Sequence, residues 1–196
     1  MIIATKLHIP RSRSTLVARP RLSRRLHEGL DRTLTLITAP AGYGKTTLLG
    51  EWVMTLDNPV AWVSLDHGDN DRMRFWTHTL AALKQAYPSF DQQNVLRHAA
   101  EDPSGESLIA ALVNGLHRIP QTTVLVWDDF HHIEEASILK GVAYLLERMP
   151  SHVHLYLASR NDPSLPLARL RAENRLIWLD AGDLRFVPDE TTDFFA

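Results

Sequence analysis

The sequence predicts an α/β domain built on an open, mostly parallel sheet of five strands with helices on both faces. Three observations predict it. Five short apolar segments recur along the chain, helical patterns fill the intervals between them, and a glycine-containing turn joins the first apolar segment to the first helical pattern. Strands that are apolar on both sides belong to parallel sheets, where crossover helices cover each face. Such crossovers give a doubly wound sheet whose ligands sit at the carboxyl ends of the strands.

The first strand is read over Thr33–Thr38, followed by helical spacing over Thr46–Leu56. The second strand, Val60–Leu65, leads to a helix over Asp71–Ala86, which Asp69, Asn70 or Asp71 is expected to cap while Phe75 and Trp76 enter the core. Tyr87–Gly105 lacks strong periodicity and reads as an irregular excursion. A helix over Glu106–Leu116 precedes the third strand, Thr123–Trp127, and a helix over Ser137–Arg148 precedes the fourth, Val153–Ala158. Leu176–Leu179 is the fifth strand. Pro88, Pro103, Pro120 and Pro150 fall in the proposed loops, as does the stretch from Pro163 to Pro166. Ahead of the first strand, Arg21–Leu26 spaces two leucines along a short helix. Pro188, Asp189 and Glu190 read as a helix start, yet the sequence stops at Ala196, which suggests a fragment of a longer protein.

Composition narrows the class. The 196 residues, 44% hydrophobic and 22% charged, suit one sizeable globular core. Without cysteine there is no disulfide framework, cysteine-ligated zinc or thiol nucleophile, which fits a reducing cytoplasm. Met1–Arg13 has no signal-peptide pattern and no run reaches membrane-spanning length, so a cytoplasmic protein with no membrane partner is expected. The net charge of −2 carries no nucleic-acid signature for the chain as a whole. The first 32 residues do hold eight Lys/Arg against Glu28 and Asp31. That cluster is either a DNA-contacting arm or the solvated basic face of a short helix, and the leucine spacing favours the second reading.

Ala39–Thr46 reads Ala-Pro-Ala-Gly-Tyr-Gly-Lys-Thr, between a strand and a helix, and this has the form of a phosphate-binding loop. Small residues let successive backbone N–H groups of Ala41, Gly42, Tyr43, Gly44, Lys45, Thr46 and Thr47 turn toward phosphate oxygens, where the helix dipole adds positive potential. Lys45 can place its ammonium between the outer phosphates, and the Thr46 hydroxyl can ligate Mg²⁺. Ala39 stands where the usual pattern has glycine, a change to the smallest available side chain. About 80 residues later, Val124–Trp127 runs into Asp128 and Asp129, the form of a Walker B strand. Asp128 is the expected Mg²⁺ ligand, partly through water, and Asp129 the group that orients or deprotonates an attacking water.

Arg160 follows the fourth strand, where it is either a sensor of the terminal phosphate or a surface ion-pair residue. Asp66–Asp71 could be a metal-binding carboxylate cluster, but it lacks EF-hand spacing, and capping of the following helix is the better reading. His131 and His132 either touch the nucleotide or are plain loop residues. Neither H-E-x-x-H nor G-x-S-x-G occurs. There is also no Asn/Thr-Lys-x-Asp element of the kind that reads guanine, so ATP is preferred over GTP.

Taken together, these motifs resemble the N-terminal nucleotide-binding region of the MalT-like, LuxR-type transcriptional activators, a branch of the signal-transduction ATPases with numerous domains. The resemblance spans the chain: Thr5–Leu7, Val17–Leu22, Ile37–Thr46, Trp62–Asp66 with Asp69–Asp71 and Arg74–Trp76, Trp127–His131, Ser159–Arg160 and Asp183–Phe186. Ala39 agrees with that family. The resemblance implies that Val17 and Arg19 lie near adenine and ribose, and that Arg160 is a sensor arginine with a catalytic role beside Lys45 and Asp129. It further implies a helical lid, a winged-helix part, an inducer sensor, self-association and a DNA-binding helix-turn-helix beyond this segment. The expected organisation is therefore an N-terminal segment, 1–32, that contributes to the adenine site, a P-loop ATPase core, 33–187, and the start of a lid, 188–196.

The function read from the sequence is an ATP-binding and ATP-hydrolysing regulatory switch using ATP/ADP and Mg²⁺. Expected of this segment alone are weak turnover and no specific DNA binding. The alternatives are a nucleotide-holding signalling or structural module with negligible turnover, and a P-loop small-molecule kinase.

Overall fold

Five strands form one sheet in the order β2-β3-β4-β1-β5, and every neighbouring pair is parallel. The strands are β1 (Leu34–Thr38), β2 (Val60–Ser64), β3 (Thr123–Asp128), β4 (Val153–Ser159) and β5 (Leu176–Leu179). In this computed structural model the described residues are 2–10, 18–101, 106–187 and 190. Each strand lies within one residue of its predicted limits at either end.

Strand alternation sorts the core into two apolar layers. Leu125 and Trp127 of β3, with Leu155 and Leu157 of β4, face one cluster, while Val124, Val126, Tyr156 and Ala158 face the other. Both sets are fully buried, which is why these strands read as continuous apolar runs. The first layer is closed by α3 (Arg72–Ala86), α4 (Gln92–Glu101), α5 (Glu106–His117), α6 (Ala136–Arg148) and the short α7 (Leu167–Ala172). The second is closed by α1 (Pro20–His27) and α2 (Lys45–Val53).

An eight-residue helix such as α1 is marginal in isolation. Leu22 and Leu26 are completely buried here, and at about 1.5–3 kcal/mol for each such side chain tertiary packing decides the matter. Tyr156 donates from its hydroxyl to the Leu26 carbonyl at 2.9 Å, so the end of α1 is tied to the middle of the sheet. Gly29 makes that approach feasible: a Cβ there would lie 2.2 Å from Thr35 Oγ1 and 2.6 Å from the Tyr156 hydroxyl.

Two readings need correction. Tyr87–Gly105 is not wholly irregular, because Gln92–Glu101 forms α4. Asp91 accepts a hydrogen bond from the Asn94 N–H at 3.0 Å, and Val95 enters the core with Leu96 packed beside it. Two adjacent apolar residues are too few to display a helical period. The helix after the glycine-rich turn stops at Val53 rather than Leu56, where Thr55 turns its N–H and hydroxyl onto the Trp52 carbonyl. Of the three candidate caps for α3, Asp71 serves, accepting from the Arg74 N–H at 2.9 Å. Val17 and the proposed helix start at Pro188 and Asp189 lie outside the described residues.

Candidate functional site

The chain from β1 to α2 crosses the carboxyl edge of the sheet. Ala39 is fastened there by its N–H to the Ser159 carbonyl at 3.2 Å, which brings the end of β4 beneath the loop. Gly42 and Gly44 have φ of 85° and 76°, a left-handed conformation that glycine adopts without steric cost. Nothing crowds a Cβ at either position, so this backbone conformation rather than lack of space accounts for the two glycines. Gly44 is the N-cap residue of α2, and Lys45 and Thr46 are its first two residues.

Lys45 is 7% exposed, and its Nζ donates to the carbonyls of Ala39 at 2.6 Å and Pro40 at 3.0 Å. Its ammonium thus lies back across the loop. Burial pulls the Lys45 pKa below the ordinary lysine value, while Asp129 and Asp128 push it back up.

Asp128 ends β3 and is 2% exposed. It is hydrogen-bonded to the Thr46 side chain and accepts the Asp129 N–H at 3.0 Å. Burial raises its carboxyl to about 6, against the Thr46 hydrogen bond, and the neighbouring Asp129 charge pushes in the same direction as burial. Two oxygen-bearing side chains therefore meet at the N-terminus of α2, as a hard divalent cation requires. Among the described residues no group of three or more His, Asp or Glu is placed to hold a metal, so an ion here would need phosphate or water oxygens as well. Thr46 and Asp128 fit Mg²⁺ on those terms.

Asp129 takes φ 57°, outside the region ordinary residues prefer, and a single 3-10 turn, Phe130–His132, begins immediately after it. This turn drives Phe130 into the core against Trp127, their ring centroids 5.8 Å apart, and leaves the Asp129 side chain 41% exposed at the edge. Arg160 leaves the tip of β4 exposed, close enough that its charge bears on Lys45, His131 and His132.

A second feature adjoins the loop. A cavity of about 540 Å³ is lined by Arg19, Gly42–Gly44, Thr47, Leu48, Glu51 and Leu184–Phe186. Arg19 donates to the carbonyls of Leu184 at 2.8 Å and Arg185 at 3.0 Å, pairs with Glu190 at 3.3 Å, and lies 4.7 Å from the Phe186 ring centroid. The wall is thus assembled from residues more than 160 positions apart. No local spacing predicts Leu184 or Glu51 as neighbours of Arg19. Ala41, at the exposed tip of the loop, does not line this cavity.

The carboxylate stretch after β2 has a structural explanation. Asp69 is fully buried and is paired with Lys6, with His78 Nδ1 at 2.7 Å and with Arg74 Nε at 3.5 Å. His78 Nε2 accepts the Ile3 N–H at 3.3 Å, which fixes Nδ1 as the protonated nitrogen facing Asp69. Asp66 also pairs with Lys6, at 2.7 Å. These groups clasp the N-terminal turn onto the β2–α3 corner, and their side chains are committed to one another.

Comparison with known proteins agrees with the fold. A family model described as an AAA domain matches residues 28–160. HTH-type transcriptional regulators MalT from Cronobacter sakazakii and Klebsiella pneumoniae are 36% and 35% identical over all 196 residues. In both cases the chain spans 22% of the relative's length. Among solved structures, a signal transduction ATPase with numerous domains bearing a tetratricopeptide repeat sensor, from Pyrococcus horikoshii, superposes with a TM-score of 0.66 at 16% identity, covering 94% of this chain and 25% of that one. A Drosophila origin recognition complex structure, bound to AT-rich DNA and Cdc6, matches with a TM-score of 0.51 at 15% identity over 88% of this chain and 56% of the other. These two likenesses are of fold.

Proposed function

The chain belongs to the AAA domain family, and from that premise we propose that it is the ATP-binding and ATP-hydrolysing switch module of a MalT-like transcriptional regulator. One observation carries the reading: a phosphate-type loop with a buried lysine faces an adjacent acid pair, and Thr46 is already hydrogen-bonded to the first acid. Triphosphate oxygens would draw Lys45 off the Ala39 and Pro40 carbonyls, and the N–H groups of the first turn of α2 would donate to the same oxygens. Adenine and ribose are assigned to the cavity between Arg19, the loop and Phe186. Val17 is assigned to the same end of the site, and the segment after Val187 to the beginning of a lid.

Thr46 and Asp128 are assigned to Mg²⁺, which when bound would neutralise charge on the β- and γ-phosphate oxygens. Asp129 aligns the attacking water and takes its proton as the water oxygen bonds to the γ-phosphorus. The bond to the β–γ bridging oxygen then breaks, and its electron pair leaves with ADP. Arg160 bonds γ-phosphate oxygens that are lost with the product, so it reports which nucleotide is bound.

By analogy with the HTH-type transcriptional regulators that the chain is similar to, DNA recognition is assigned to regions outside this segment; self-association through those regions and a cytoplasmic setting are part of the same proposal. Among the described residues no helix is long and apolar enough to cross a membrane.

The direct test is calorimetric titration of the chain with Mg·ATP, Mg·ADP and Mg·GTP, together with phosphate release under single-turnover conditions with protein in excess. ATP is expected to bind more tightly than GTP and to release phosphate slowly. Equal affinity for ATP and GTP would overturn the base assignment. Binding without any phosphate release would mark a ligand-holding module instead.

A pH prediction follows from Asp128. Its carboxyl titrates at about 6 against 3.8 in an unperturbed chain, so between those values the folded protein binds the extra proton. Two opposite trends result: this group's contribution to the stability of the free protein falls as pH rises through that window, whereas Mg²⁺-dependent nucleotide affinity rises. Affinity measured from pH 5 to pH 8 should show the rise with Mg²⁺ and lose it with EDTA or in Asp128→Asn. A rise that persists in Asp128→Asn would reassign the titrating group.

A further inference from the structure

His131 is nine-tenths buried, yet neither ring nitrogen has a hydrogen-bond partner. Buried polar atoms without partners are exceptional and call for a cause. Here the ring lies next to the reaction centre rather than in an apolar layer: Nδ1 stands 3.7 Å from Asp129 Oδ1, and the ring borders a cavity of about 210 Å³ shared with Ser159 and Asn161 at the tip of β4. The His132 ring packs against it with centroids 4.1 Å apart, which limits how far it can swing.

The chain geometry explains why the two side chains meet. Left-handed φ at Asp129 starts a 3-10 turn, in which the His132 N–H returns to the Asp129 carbonyl at 3.2 Å and the Ile133 N–H to that of Phe130 at 2.9 Å. The turn is anchored by Phe130, so its next residue is brought back beside the carboxylate of the residue that began it. Ring charge is also suppressed: burial first, then the charges of His132 and Arg160, hold the His131 pKa at about 4. A neutral ring has one N–H and one lone pair; Glu134 and Asp162 border the same cavity, but among the described residues the carboxylate paired with the ring within 4 Å is that of Asp129.

We propose that His131 is a positioning residue for hydrolysis, donating its Nδ1–H to one Asp129 carboxylate oxygen so that the other is aimed at the attacking water. The inference rests on the hydrolytic reading above and adds a residue to it. Asp129 alone is a half-exposed side chain with rotational freedom, whereas a proton acceptor must hold its line to the water while the oxygen–phosphorus bond forms. During that step the water proton goes to the free Asp129 oxygen and the bridging electron pair to ADP, and His131 neither gains nor loses a proton. Catalytic hydrogen bonds are commonly long before substrate arrives, and 3.7 Å is within the reach of a small ring rotation.

The test has two independent arms. In the nucleotide-free chain labelled with ¹⁵N-histidine, long-range proton–nitrogen correlation should show His131, assigned by its loss in His131→Gln, as the Nδ1-protonated tautomer, and Asp129→Gly, which removes the carboxylate while tolerating the left-handed φ, should convert it toward the Nε2-protonated form. A parental Nε2–H tautomer, or one indifferent to Asp129→Gly, overturns the contact. In single-turnover phosphate release, His131→Ala should slow hydrolysis on the order of 10- to 100-fold while ATP affinity stays within about threefold. His131→Asn, whose amide can stand where Nδ1–H does, should recover most of the rate, and His131→Ala should add nothing to Asp129→Asn. A parental rate in His131→Ala, or a full extra loss on top of Asp129→Asn, overturns the positioning role. If the parental chain releases no phosphate, the hydrolytic reading fails and the role falls with it, while the tautomer still decides the contact.

Discussion

Lys45→Ala is expected to weaken ATP binding on the order of a hundred- to a thousandfold while the fold persists. The size follows from charge: hydrogen bonds to ionised groups contribute about 1.5–3 kcal/mol each, and an ammonium between two phosphates makes at least two. Persistence of the fold follows from the resting geometry. Among the described residues the Lys45 ammonium donates hydrogen bonds to the carbonyls of Ala39 and Pro40, and burial lowers its pKa by more than the charges of Asp129 and Asp128 raise it, so the folded protein holds that charge at a penalty. Removing it takes away an unfavourable charge and leaves two carbonyls at a loop with exposed neighbours. Calorimetry for affinity and circular dichroism with a thermal melt for folding should be run on the same preparation. A folded Lys45→Ala protein that binds ATP as the parent does would remove the phosphate-loop assignment.

Much of this site was legible because its parts are local in sequence. Gly42, Gly44, Lys45 and Thr46 are contiguous, and their role depends on the strand and helix on either side, both of which announce themselves by apolar patterning. Asp128 and Asp129 end an apolar run whose burial is complete on both faces. What the sequence could not display is closure between distant segments. Arg19 reaches the Leu184 carbonyl only because α1 and the turn after β5 come to the same edge of the loop, and neither hydrophobic period nor turn chemistry encodes that distance. The clasp of Lys6, Asp69 and His78 was hidden for the same reason, so that a cluster of acids looked like a possible ligand set until each acid had been given its partner. In α4 the limit was different: a cap and two adjacent apolar residues suffice in a folded context but make no period.

Asp129→Asn is expected to retain ATP and Mg²⁺ binding while slowing hydrolysis about 10²- to 10⁴-fold, the range over which a positioned proton acceptor contributes. Asparagine is the informative substitution on backbone grounds. Asp129 has φ 57° and ψ 37°, and Asn, like Asp, tolerates the left-handed region, whereas alanine would add strain to the turn carrying Phe130 and His131. The amide still orients water through its oxygen but is far too weakly basic to take the proton, so loss of rate with retention of binding isolates the basic role. Asp128→Asn is the contrasting case. Asp128 is buried and bonded to the Thr46 side chain, so its loss should weaken Mg²⁺-dependent binding before any question of rate arises. Measuring nucleotide affinity with and without Mg²⁺ beside single-turnover phosphate release separates the two acids. If Asp129→Asn releases phosphate at the parental rate, or if both variants lose binding equally, the division of labour between these neighbours is wrong and the water must be activated elsewhere on the sheet edge.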